Sequence, residues 1–96
     1  MKLLSVTAST RAGKKLMAKF ETDAGRTRVT HFGAAGMDDY TKTHDKEQRE
    51  RYRSRHKKDL ATGDPTRAGF LSYWILWGDS TSVASNISAY KRRFNL

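Results

Sequence analysis

The stretch from Asp64 to Trp77, DPTRAGFLSYWILW, constrains this chain more than any other. It holds the only proline, both tryptophans and the densest apolar run. Phe70, Leu71, Trp74, Ile75 and Trp77 recur at helical spacing, on a face too broad for a helix that shows one side to water. Asp64 is suited to accept hydrogen bonds from the first N–H groups of a helix, and Pro65 at the first helical position forfeits no bond. The spacing predicts a central helix over Pro65–Trp77. Trp74 belongs to its core side, with Tyr73 and Trp77 at the edge of the stripe, where they can meet an arginine.

The rest of the chain must pack against that helix or carry surface. Ninety-six residues make one domain with one modest core, a strand-rich part over 1–33 and a helical part over 34–96. Residues 2–9 alternate, with Leu4, Val6 and Ala8 opposite Leu3, Ser5 and Thr7. Residues 14–22 follow the turn at 10–13, with Leu16, Ala18 and Phe20 on one side. Asp23-Ala24-Gly25 closes a hairpin into a third strand over 26–32. In that strand Val29 and Phe32 fall on opposite faces, so either a bulge intervenes or one of them is not core. The face without helices would expose Lys15, Lys19, Arg26 and Arg28. Residues 33–44 read as a loop. Helices are expected at 46–58, capped by Asp45, and at 80–94, capped by Asp79 or Ser80. In the last helix Val83, Ile87, Tyr90 and Phe94 form one stripe. Strands first and helices afterwards give an α+β fold: a three-stranded antiparallel meander followed by three helices.

Nineteen Lys and Arg face ten Asp and Glu, a formal charge of +9 that draws polyanions. The segment KEQRERYRSRHKK, 46–58, holds seven of those cations against two glutamates. Tyr52 is its only large apolar residue, and with His56 it forms the narrow stripe by which the helix docks. Arg49, Arg53 and Lys57 climb a second face, and Arg51, Arg55 and Lys58 a third. Two readings stand side by side: a solvated face that keeps the protein soluble, and a helix that tracks phosphates. Arginine outnumbers lysine there, and its planar fork suits phosphate oxygens. With no Asn and only Gln48 in the segment, base readout is not supported. The candidate binding residues are Arg49, Arg51, Arg53, Arg55, Lys57 and Lys58, with Lys91, Arg92 and Arg93 near the C-terminus. Duplex DNA comes ahead of RNA as the partner, and acidic protein surfaces are the other option.

Catalytic and cofactor readings are weaker. There is no cysteine, so no disulfide framework and no thiolate metal site. His31, His44 and His56 match no metal-ligand spacing, and no cofactor-binding motif is present. Asp38, Asp39, His44 and Asp45 could form an acid–base or cation site; carboxylates in such loops more often cap turns or pair with cations. The expectation is a protein that is not an enzyme. No apolar run reaches membrane-spanning length, and the N-terminus lacks the run of a secretory signal.

HFGAAGMDDYT (31–41), RYRSRHKK (51–58), DPTRAGFLSYWILW (64–77) and AYKRRF (89–94), in this order and spacing, resemble a family of small uncharacterised basic proteins. Its members are encoded by giant DNA viruses, such as phycodnaviruses and mimivirus relatives, and by some large phages. Many members have Thr-Ala-Gly after the proline, where this chain has Thr66-Arg67-Ala68-Gly69. The resemblance implies a viral source, and with it either a protein bound to viral DNA or a minor structural protein of the virion. The implied location is the virion or the interior of an infected cell.

Overall fold

Three strands and a set of helices fold around a core of Phe20, Phe32, Leu71, Ile75 and Tyr90. The computed structural model describes all 96 residues. Strands β1 (Lys2–Ala8), β2 (Lys14–Glu21) and β3 (Thr27–Ala34) pair antiparallel in the order β1-β2-β3, a meander joined by tight turns. Four α-helices follow, with a 3₁₀ segment after the second and a π turn after the third. The α-helices are a one-turn α1 (Tyr40–Thr43), the basic α2 (Lys46–His56), α3 (Ala68–Leu71) and α4 (Val83–Phe94). The fold is α+β, as the order of elements predicts.

The register explains which strand residues are core. Ala18 and Phe20 are fully buried, and Leu16 shares their side of β2. Across from them lie Phe32 and Thr30 of β3, with Val29 on the other face and 47% exposed. No bulge separates Val29 from Phe32 in the β2–β3 pairing; Val29 is simply not core. The bulge lies in β1 instead, between Leu3 and Ser5. Leu4 is pushed outward to 47% exposure, and Leu3 joins Val6 on the core side. A strict period of two would have put Leu4 with Val6, and one extra residue reverses that assignment.

Two of the cations expected on the bare face are elsewhere. Lys15 reaches the buried Asp39 at 2.6 Å. Arg28 sits opposite Phe20 at the helix-covered side; the hydrogen bonds from Thr66 hold the Asp64 carboxyl below the usual range, and the Arg28 charge adds to the effect.

The central helix begins three residues later than the sequence suggests. The Asp64 side chain accepts from the Thr66 backbone N–H at 2.9 Å and from the Thr66 hydroxyl, closing a local turn rather than capping a helix. The carbonyl of Pro65 accepts from the Tyr90 hydroxyl, and that of Thr66 from Thr30 Oγ1 at 2.7 Å. With those acceptors committed to α4 and β3, Arg67 stays extended and α3 starts at Ala68. The helix then widens: Ser72–Leu76 is a π turn, closed by the Trp77 N–H donating to the Ser72 carbonyl at 3.1 Å. Ser72, Tyr73, Ile75 and Leu76 in it are all buried. The wide turn is how one short helix hides an apolar arc too broad for a regular one.

Helix α4 starts at Val83, with Ser82 rather than Asp79 or Ser80 accepting from the Ser85 N–H. Its core contact is more than an apolar stripe. Asn86 is buried, donating to the carbonyls of Ile75 and Ser80 and accepting from the Ser80 N–H. The C-terminus returns to the sheet, where the Leu96 carbonyl accepts from the Leu3 N–H at 3.3 Å.

Candidate nucleic-acid interface

Helix α2 forms where the sequence places its cap. Asp45 accepts from the N–H groups of Glu47 and Gln48 at 3.0 and 3.1 Å. The helix tightens after His56 into a 3₁₀ segment over Lys57–Thr62, so Lys57 and Lys58 follow it rather than belong to it. Tyr52 docks it: its ring stacks on Trp77 at 4.3 Å and 8°, and on His56 at 4.2 Å. Burial pushes the Tyr52 phenol up from its ordinary pKa, with the Asp59 charge adding to the effect.

Docking by Tyr52 divides the arginines. Arg53 donates from Nε to the Trp77 carbonyl at 2.8 Å and from Nη2 to Asp79 at 2.9 Å. Arg49 lies over the Tyr40 ring at 4.6 Å, donates to Glu50 at 3.0 Å and reaches the Asp79 carbonyl at 3.4 Å. Their side chains are only 15% and 16% exposed. The Arg53 hydrogen bond holds the Asp79 carboxyl below the usual carboxylate range, with the charges of Arg53, Arg49 and Arg93 adding to the effect. These two residues fasten α2 to the loop after the π turn. They are the part of the candidate set that the fold uses internally.

Arg51, Arg55, Lys57 and Lys58 are exposed and make no hydrogen bond or ion pair within the protein. Lys91 and Arg92, in the last turn of α4, are likewise exposed and unpartnered. Arg93 stacks on Trp74 at 3.9 Å, and Arg53 lies 5.8 Å from the same ring. Trp74 thus joins the end of α4 to the inner flank of α2. It is also the less buried tryptophan, because the π turn carries Trp77 inward to 7% exposure. This reverses the expectation for the pair, and Tyr73 is buried as well.

Of the candidate acidic residues, Asp39 and Asp45 are spent on structure, whereas Asp38 is exposed and its carboxylate has no hydrogen bond or ion pair within the protein. Asp39 is buried; it pairs with Lys15 and accepts from the Thr41 N–H and hydroxyl. Asp45 is the α2 cap, and His44 ends α1 in the left-handed region at φ 56°. His31 bonds Ser9 Oγ at 2.7 Å. No group of three or more His, Asp or Glu side chains lies close enough to hold a metal ion. No helix is long and apolar enough to cross a membrane.

Residues 4–56, from β1 to the end of α2, match a family of unknown function, DUF5754. The chain belongs to that family. The DUF5754 match contains the meander from Leu4 onward, the loop after β3 and the whole of α2, and it stops before the π turn on which α2 docks. Neither the curated proteins nor the solved structures include a match to this chain.

Proposed function

We propose that this DUF5754 protein is a non-enzymatic nucleic-acid-binding protein that grips the phosphate backbone of duplex DNA without reading bases. The supporting observation is that six of the nine candidate cations, Arg51, Arg55, Lys57, Lys58, Lys91 and Arg92, have side chains with no hydrogen bond or ion pair in the protein. Most carboxylates of the chain are already taken by ion pairs or caps, so these six lack internal counter-charges. Cations left free in this way collect phosphates by releasing counter-ions, with no need for base contacts. The engagement of Asp39 and Asp45 in structural hydrogen bonds favours binding over catalysis.

The test is fluorescence anisotropy of the protein on two unrelated duplexes across a salt series. Six phosphate contacts give a log–log slope of about −5. Arg51→Glu with Arg55→Glu should weaken both duplexes equally and flatten the slope. A shallow slope in the native protein, or no loss on charge reversal, would remove the DNA reading. The same cations would then be assigned to an acidic protein surface, such as that of a virion partner.

A further inference from the structure

The basic helix carries one aliphatic hydroxyl, and it lies among the free cations. Ser54 is exposed, and its side chain makes no hydrogen bond within the protein. Arg51 stands three residues before it, Lys57 and Lys58 three and four residues after it, and Arg55 directly beside it. Residues three and four apart are neighbours on a helix surface, with about 5–6 Å between their Cβ atoms. Lys57 keeps helical angles, φ −55° and ψ −34°, so this spacing carries across the join to the 3₁₀ segment. All four cations are exposed and without an ion pair. Glu50, four residues before Ser54, is already held by Arg49 Nε at 3.0 Å.

Two further observations single out this hydroxyl. Of all the serines and threonines in the chain, Ser54 alone has an arginine three residues before it, and Arg53 directly precedes it. Protein kinases with an acidic substrate groove select such serines, because carboxylates in the groove pair with the arginines. A kinase takes its serine from an extended segment, so the helix must open. The stretch that must open is the least buried in the molecule. No residue from Thr41 to Pro65 is fully buried, the longest such run in the chain. The ties of α2 to the π turn and the loop after it are Tyr52, Arg49 and Arg53. Segments with few buried contacts open locally at a fraction of the global unfolding free energy.

We propose that Ser54 is a phosphorylation site, and that its phosphate closes the duplex-binding surface from within. Ser54 Oγ attacks the γ-phosphorus of a nucleoside triphosphate held by the kinase. The bond from that phosphorus to the bridging oxygen breaks, and the nucleoside diphosphate leaves. The hydroxyl proton passes to a base of the kinase. The product carries a charge of about −1.5 to −2 at pH 7 and three acceptor oxygens. As α2 re-forms, Arg51, Lys57 and Lys58 stand at the spacing that reaches those oxygens. Cations that pair inside the protein release no counter-ions from DNA, so three of the six free contacts are lost. The switch rests on the duplex reading above; the site does not.

The experiment incubates the full chain with ATP and the catalytic subunit of cyclic-AMP-dependent protein kinase, and locates the phosphate by mass spectrometry. One phosphate per chain is expected, on Ser54, and none in Ser54→Ala. Arg51→Ala should slow incorporation about tenfold. A folded chain that stays unmodified while a peptide of residues 47–60 is phosphorylated overturns the site, as does a phosphate placed elsewhere. Duplex anisotropy across the salt series then reads the switch. The log–log slope should fall from about −5 to about −3 on phosphorylation, and stay near −5 in Ser54→Ala carried through the same treatment. An unchanged slope in the phosphorylated chain overturns the switch. A shallow slope before modification removes the duplex reading and the switch with it, while the mass spectrum still decides the site.

Discussion

The two flanks of α2 carry the same residue type and do different work. Arg49 and Arg53 face Tyr40, Trp77 and Asp79, where each guanidinium has both an aromatic ring nearby and oxygen acceptors. Arg51 and Arg55, two positions along from them, touch nothing that answers their charge. A helix rotates by about 100° per residue, so a step of two reaches the other side. The difference teaches that charge alone does not mark a binding residue. Arg49 and Arg53 have their charge answered inside the protein, and Arg51 and Arg55 do not.

The sharpest way to break the comparison is to truncate one residue from each flank. Arg53→Ala leaves the Trp77 carbonyl without its donor and should cost about 2 kcal/mol in urea unfolding. Arg51→Ala should stay within about 0.5 kcal/mol. Equal losses would show that the flanks are not distinct.

The next effect concerns the residue between the flanks. Tyr52 and Tyr90 both have phenol pKa values raised by burial, with Asp59 and Asp64 adding to it respectively. Because the folded values lie above the unfolded value near 10, their contribution is complete below pH 10 and is lost as pH rises through the folded values. Alkaline unfolding should therefore coincide with ionisation of these phenols, followed by phenolate absorbance and circular dichroism together. Tyr52→Phe keeps the stack and should move the alkaline midpoint upward. An unchanged midpoint would mean that Tyr52 is not held neutral by its docking. The smallest effect belongs to Arg93→Ala, which removes the cation over Trp74 and should cost about 0.5–1 kcal/mol. A red shift of tryptophan emission would report the uncovered ring.

Much of this fold was legible in the chain. The strand ends lie within two residues of the alternating runs, and Asp45 caps the basic helix where its spacing requires. Tyr52 and His56, four apart on an otherwise polar helix, form the docking stripe. The bulge at Leu4 was not legible, because nothing in KLLSVTA marks which leucine is extra. The late start of α3 was hidden for another reason. Asp-Pro is a sound helix opening, but Tyr90 and Thr30 take the carbonyls that such a helix needs. Asn86 is masked by the apolar stripe around it, although a lone amide among Val83, Ile87 and Tyr90 is itself a hint of a buried polar partner.

For the proposed interface, the sequence determined the charge excess, its concentration on one helix and the spacing that sorts its cations into faces. Those follow from residue identity and helical geometry. Only the tertiary structure decided which face is free. The π turn swings Trp77 inward, Tyr52 stacks on it, and that contact fixes the rotation of α2 about its axis. Once the rotation is set, Arg49 and Arg53 meet acceptors in the loop after the turn, and Arg51, Arg55, Lys57 and Lys58 are left to the solvent. A helix pattern specifies faces relative to each other; packing against distant residues decides which of them is the inside.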